Sequence, residues 1–373
     1  MGGEGNSWNA LPNRHPLPRE GRGQGVRGRS FSNWPPPSSS KWSLRAGGFV
    51  AQNARPMKRR SLLDAVVAAG LLSLAIPLLG QMREPIIDVH LHAYPPGEAI
   101  PDIANPANGK KPGVKNGEEH RQAVLAEMKR WNVVKGVVSG GSGDRLAAAI
   151  RWREADPTRF IAGAGIRGSA DTPLPPLEVL RKAFQSHQLG VLGEVTAEYA
   201  GATLSDPRYE PYLALAEELD IPVALHTGTG PPGISYDECC RNFRVSLGNP
   251  ILIEDALNRH PKLRVSLMHA GWPYLQETIA ILFEYPQVYA DLGAADWLLP
   301  RAEFHAYLGA LMRAGFVKRI MFGSDQMYWP EGIGLAIEGI ESAPFLTPAE
   351  KRDIFYNNAV RFLKLEEAGA PKP

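Results

Sequence analysis

Strand-like and helix-like stretches alternate eight times between residues 84 and 366, and no glycine-rich phosphate turn follows the first strand. Residue types that ligate metals gather near the carboxyl ends of those strands. Together these observations predict a parallel (β/α)8 barrel, since alternating strands and helices build parallel sheets and such barrels carry their chemistry at the strand ends. A doubly wound open sheet is the rival. It usually has fewer strands and does carry that turn.

Short apolar runs place the strands at 85–92, 134–139, 160–166, 190–196, 221–227, 263–269, 287–292 and 318–324. Between them fall stretches with helical apolar spacing: "EEHRQAVLAEMKRW", "GDRLAAAIRWREA", "LEVLRKAFQSH", "YEPYLALAEELD", "ILIEDALNRH", "YLQETIAILFEY" and "AEFHAYLGALMRAG". The last helix, "LTPAEKRDIFYNNAVRFLKL", opens with Thr347 as N-cap, Pro348 at the first position and Glu350 at the third, and is expected to close the ring. Residues 367–373 form a tail.

The segment before the barrel reads differently. Residues 1–56 are rich in Gly, Pro, Arg and Ser, lack an apolar period, and are expected to be disordered. They suggest an over-extended gene model, because Met57 opens a better start. Lys58-Arg59-Arg60 precedes an apolar run from Leu62 to Leu79, and Ser73-Leu74-Ala75 offers a small-x-small cleavage site. Residues 57–80 therefore have the layout of a secretory signal peptide, with a partial twin-arginine pattern in "RRSLL". The expectation is export to the periplasm or beyond through a bacterial export machinery. The alternative is a membrane anchor through residues 61–79, against which Asp64 and Pro77 count.

Overall charge narrows the partners. A formal net charge of +2 on 373 residues argues for neither a nucleic-acid surface nor an acidic partner. A small-molecule substrate is expected, with oligomeric state left open. The adjacent Cys239 and Cys240 cannot join distant parts of the fold, and read as small buried residues rather than a nucleophile or ligand pair.

Four of the nine histidines lie near strand ends. In "PIIDVHLHAYPP", Asp88, His90 and His92 alternate along the first strand and are expected to share one face, with the two histidine Cα atoms about 7 Å apart. His226 ends the fifth strand in "IPVALHTG", and His269 the sixth in "RVSLMHAG". Glu194 ends the fourth and Asp325 the eighth, in "RIMFGSDQ". Burying this much imidazole after apolar runs is costly unless something coordinates it. A metal site is the expectation. His15, His120, His187, His260 and His305 read as surface residues.

The motifs "DVHLHAY", "ALHTG", "LMHAGWP", "FGSD" and "IFYNNAVRFLKL" resemble the amidohydrolase superfamily of metal-dependent hydrolases, closest to its branch that also contains aromatic-acid decarboxylases. The resemblance covers residues 84–366. It implies that His90, His92 and Asp325 bind a first metal. It further implies that His226 and His269 bind a second, or that His226 completes a single site while His269 acts in catalysis. Where many binuclear members carry a carboxylated lysine on the fourth strand, this chain has Glu194, which can bridge two cations directly.

Imidazole and carboxylate donors suit Zn²⁺, with Mn²⁺, Fe²⁺ or Co²⁺ as alternatives, and one or two ions. The expected chemistry is water attack on an amide, lactone or other ester bond, with Asp325 taking the proton and the metal or His269 polarising the carbonyl. The alternatives are a single-metal non-oxidative decarboxylase of an aromatic or unsaturated acid, and a non-enzymatic metal-binding barrel. Substrate contacts are expected from Trp272, Tyr274, Trp297 and Tyr328, and from Arg241 or Arg244 in "TGTGPPGISYDECCRNFR".

Overall fold

Strands β1 (Ile86–His92), β2 (Val133–Ser139), β3 (Phe160–Ile166), β4 (Val191–Val195), β5 (Val223–Leu225), β6 (Val265–Leu267), β7 (Val288–Asp291) and β8 (Ile320–Met321) lie side by side in chain order. Every neighbouring pair is parallel. This arrangement comes from a computed structural model, which describes residues 83–139 and 144–365. The ring is drawn together where the Val89 N–H donates to the Phe322 carbonyl and the Asp325 N–H donates to the His90 carbonyl, at 3.0 and 2.8 Å. Helices connect successive strands. The chain folds as the (β/α)8 barrel its alternation predicts. The expected disordered segment 1–56, the signal-like segment 57–80 and the tail 367–373 lie outside the described residues.

Local sequence explains the helix starts. Asn116 caps the helix Gly117–Trp131 by accepting from the Glu119 N–H, and acidic residues occupy its first turn while basic ones occupy its last. Thr347 and Glu350 form the expected capping box, with Pro348 in the first turn. The closing segment is not one uniform α-helix, however. A π-turn at Asp353–Asn357 separates Pro348–Arg352 from Asn358–Leu363. Helix Gly332–Glu341, buried along most of its length, was not among the expected elements; its glycines mask the helical signal.

Side chains from five different strands, Ile87 and Val89 of β1, Val137 of β2, Val191 of β4, Ala224 of β5 and Met321 of β8, form one buried cluster with Val360 and Phe362 of the last helix. Residues so far apart around a ring can meet only along its axis. The last helix therefore seals the amino-terminal end of the barrel with apolar surface and leaves the carboxyl-terminal end for polar groups.

Three expectations need correction. Asp88 does not share the face of His90 and His92: the β1–β2 register slips between Asp88 and Leu91, and Asp88 Oδ1 accepts from the backbone N–H groups of His90 and Ser324. His120 and His260 are buried rather than on the surface. His120 Nε2 bonds the Met327 carbonyl at 2.8 Å, and His260 lies between Glu210 and Glu217 at 2.9 and 3.1 Å. A satisfied ring nitrogen makes such burial affordable. Finally, Cys239 and Cys240 are bonded to one another, with Cys240 buried and Cys239 exposed.

Candidate metal centre

The site begins with β1, whose ladder turns both His90 and His92 towards the barrel mouth; their ring centroids are 5.4 Å apart. Room for His90 comes from two glycines. A β-carbon on Gly293 would stand 2.6 Å from His90 Nδ1, and one on Gly323 would stand 2.7 Å from its Cβ. Across the cup, His269 follows β6 and its ring lies 5.3 Å from that of His90 and 4.6 Å from that of His226. Asp325 Oδ1 stands 2.8 Å from His92 Nε2 and 3.5 Å from His90 Nε2. Glu194 on β4 reaches from the other side, 3.8 Å from His92 Nε2 and 4.0 Å from His269 Nε2.

All six residues expected to ligate thus meet in one cup. Three overlapping groups have donor atoms within 4.8 Å of one another: His90, His92 and Glu194; His90, His269 and Asp325; Glu194, His226 and His269. Glu194 belongs to two of them.

The imidazoles are held in matching orientations. His90 Nδ1 faces Asp291 Oδ1 at 3.3 Å, His269 Nδ1 donates to the Gly293 carbonyl at 2.8 Å, and His226 Nδ1 contacts Glu198. Anchoring Nδ1 to oxygen leaves Nε2 as the lone-pair nitrogen, which is how second contacts prepare histidine for a metal. His90 Nε2 and His269 Nε2 are buried without any hydrogen-bond partner. Unpaired ring nitrogens converging beside two carboxylates suit a cation.

Charge says the same. Burial penalises ionised Asp325, but the His90 ring and the His92 hydrogen bond outweigh it and hold the carboxyl well below the usual range. Burial likewise opposes a charged His90, yet the Asp325 and Asp291 carboxylates raise its pKa to about 10. In the cation-free protein a proton on His90 therefore serves the carboxylates as counter-charge. A divalent ion fits that place. His269 is different: burial, and then the neighbouring His226 ring, lower its pKa and keep it neutral. With its N–H already given to Gly293, it offers the cup a lone pair and no proton. It can ligate or accept a proton.

The residues expected to touch substrate are more dispersed. Tyr328 packs against Tyr94 with ring centroids 5.5 Å apart. Trp297 is buried, its indole N–H donating to the Ser324 carbonyl at 2.7 Å, and it supports the strand-eight loop. Trp272 donates to Glu303 at 3.3 Å and Tyr274 to the Val245 carbonyl at 2.9 Å. Arg244 donates to the carbonyls of Arg241 and Phe243 within its own loop, and Arg241 is exposed beside Glu238. Sequence reasoning missed Glu198 and Asp291. Asp291 had a visible signal, an acidic residue ending "VYAD" at a strand end. Glu198 had none.

A protein-family model described as "Amidohydrolase" matches residues 87–365. Among curated proteins, Protein fluG of Emericella nidulans is 26% identical over 115 residues, 31% of this chain and 12% of that protein. The chain thus spans about an eighth of the length of that relative. Among solved structures, a TIM-barrel protein of Bordetella bronchiseptica is 23% identical, with a TM-score of 0.58 over 75% of this chain and 99% of the other. A probable 2-pyrone-4,6-dicarboxylic acid hydrolase of Acinetobacter baumannii, crystallised with citric acid, is 16% identical, with a TM-score of 0.54 over 76% of this chain and 100% of the other.

Proposed function

The chain belongs to the amidohydrolase family, and on that premise we propose that it is a metal-dependent hydrolase that cleaves an amide, lactone or other ester bond of a small molecule. The family is metal-dependent and its members include both hydrolases and decarboxylases. The observation that favours hydrolysis is Glu194, a second carboxylate shared between the His90–His92 and the His226–His269 sides of the cup. A shared carboxylate suits two cations. His90, His92 and Asp325 would hold one, His226 and His269 the other, with Glu194 between them.

A divalent ion bound there supplies Lewis acidity, bringing the pKa of water from about 15.7 towards roughly 7. The protein does the rest. Asp325, whose environment keeps it ionised, accepts the proton of the attacking water at a carboxylate oxygen and returns it to the leaving group. Asp291, Glu198 and the Gly293 carbonyl hold the imidazoles with Nε2 forward. Zinc suits these donors best, and manganese, iron or cobalt are the alternatives to score against it.

Metal analysis of the purified protein, beside His90→Ala and Glu194→Ala, tests the reading together with a panel of lactones, amides and aromatic acids. Two ions per chain and hydrolysis of a panel member, lost by at least ~1,000-fold in His90→Ala, are expected. One ion per chain with release of carbon dioxide from an aromatic acid would replace hydrolysis with decarboxylation. Metal bound without turnover of any class would leave a binding barrel.

A further inference from the structure

We propose that Gln326 is a positioning residue for the metal: its carboxamide replaces a peptide group at the seam between β8 and β1, and so fixes His92 against Asp325. The proposal rests on the reading that the cup binds a cation, and names the residue that sets two of its ligands relative to one another.

Parallel ladders join each strand to the next from β1 to β8, but among the described residues none joins β8 back to β1. The reason is length, since β8 has only two residues. Beyond it the chain meets β1 through a mixed set of bonds. Backbone supplies two of them, from the Val89 N–H to the Phe322 carbonyl and from the Asp325 N–H to the His90 carbonyl. Between these, the Ser324 N–H turns to the Asp88 carboxylate at 2.9 Å.

The last rung belongs to a side chain alone. The His92 N–H donates to Gln326 Oε1 at 3.1 Å, and Gln326 Nε2 donates to the His92 carbonyl at 3.0 Å. A carboxamide carries the same donor and acceptor as a peptide group, so it can take the place of the missing strand. The pairing also settles which way the amide points, because the N–H of His92 needs an acceptor and its carbonyl a donor.

What this rung holds is the cup. Asp325 is the residue before Gln326, and its Oδ1 stands 2.8 Å from His92 Nε2. The two ligands are therefore tied twice, once through the ring and carboxylate and once through the amide behind them. Asp325 and Met327, on either side, have left-handed backbones with φ 46° and 44°, a conformation that residues other than glycine keep only under outside constraint. The Gln326 amide supplies that constraint on one side. On the other, His120 Nε2 bonds the Met327 carbonyl at 2.8 Å. Gln326 is fully buried, and both ends of its amide are spent on His92. An apolar side chain of that length would leave the His92 N–H and carbonyl facing no partner, and β8 has no further residue to offer.

The test titrates Zn²⁺-loaded full-length protein against a competing chelator and reads the visible spectrum of Co²⁺-loaded protein. Gln326→Met is compared with the wild type and with Ala162→Gly, which destabilises β3, a strand that gives the cup no ligand. Gln326→Met should weaken one binding phase ~10- to 100-fold, leave any second phase unchanged and alter the cobalt spectrum. Ala162→Gly should change neither affinity nor spectrum, although both variants lower the urea midpoint of chelated protein. The proposal falls if Gln326→Met binds metal with wild-type affinity and spectrum, or if Ala162→Gly loses affinity to the same extent, which would make the loss one of general stability. Should Gln326→Met not fold, Gln326→Asn, one methylene too short to reach both groups of His92, must show the same loss to a smaller extent. None of these readings needs turnover. A wild type that binds a single ion, weakened in Gln326→Met, would overturn the two-cation hydrolase reading and leave the role of Gln326 standing. A wild type that binds no cation would sink both.

Discussion

The first four strands run seven, seven, seven and five residues, whereas the last four run three, three, four and two. Both halves supply donors to the same cup, by different means. His90, His92 and Glu194 sit within strands, although the β1 and β4 registers slip at His90 and Glu194, whose N–H groups donate to the Asp88 carboxylate and the Ser139 hydroxyl. His226, His269 and Asp325 come after their strands have ended. Five non-glycine residues around the mouth of the second half have left-handed backbones: His269, Ala270, Ala294, Asp325 and Met327, with φ between 44° and 60°. Such residues cost roughly 1–3 kcal/mol each and persist only where surrounding contacts insist on them. The early half positions its donors from within its strands, and the late half from left-handed turns beyond them.

The halves also brace one another. His90 on β1 is anchored by Asp291 on β7, and His226 after β5 by Glu198 after β4. Asp291→Asn and Glu198→Gln should each lower metal affinity ~10- to 100-fold, read by titration against a competing chelator. If Asp291→Asn costs affinity and Glu198→Gln does not, the strand-borne histidines carry the site and the later ones are auxiliary.

A smaller effect follows from His90. Its pKa rises from 6.5 to about 10 in the cation-free protein, because the carboxylates of Asp325 and Asp291 outweigh the penalty of burial. A group protonated more readily when folded stabilises the fold fully below pH 6.5, and that contribution is lost as pH climbs through about 10. Urea midpoints of chelated protein should therefore fall from pH 6.5 to 10, and metal should flatten the slope by replacing the proton. A chelated protein that gains stability over that window would contradict the assignment of His90 as the cup's charge carrier.

How much of this the sequence reveals follows the same division. The runs of Val, Ile and Ala in β1–β4 are strands nearly to the expected residue, because ladder and apolar pattern agree there. In the second half the apolar runs outlast the strands. "RVSLMHAG" reads as extended through His269, yet β6 stops at Leu267 and His269 turns left-handed. Gly271 closes that turn two residues beyond His269, so the glycine in the sequence marks where the turn ends rather than where the strand stops. The six cup residues were legible because donor types at successive strand ends need only the barrel's order. Their pairing with anchors was not: Asp291 shows as an acidic residue at a strand end, but it lies 201 positions from His90, and only ring closure brings them together.

The finest test compares one substitution in both halves. Ala294 follows β7 with φ 60° and ψ −44°, a region in which a β-carbon is strained. Ala294→Gly removes that strain, worth roughly 1–3 kcal/mol, and adds the entropy of a freer unfolded chain, roughly 0.5–1 kcal/mol. A net gain of about 1 kcal/mol is expected, seen as a higher urea midpoint at unchanged slope. Ala162 in β3 is buried in regular strand between its neighbours. Ala162→Gly loses a packed methyl and gains no relief, so it should move the midpoint down. Opposite signs would locate the strain in the late half. If both substitutions destabilise, the packing around Ala294 outweighs its backbone, and the two halves differ in length alone.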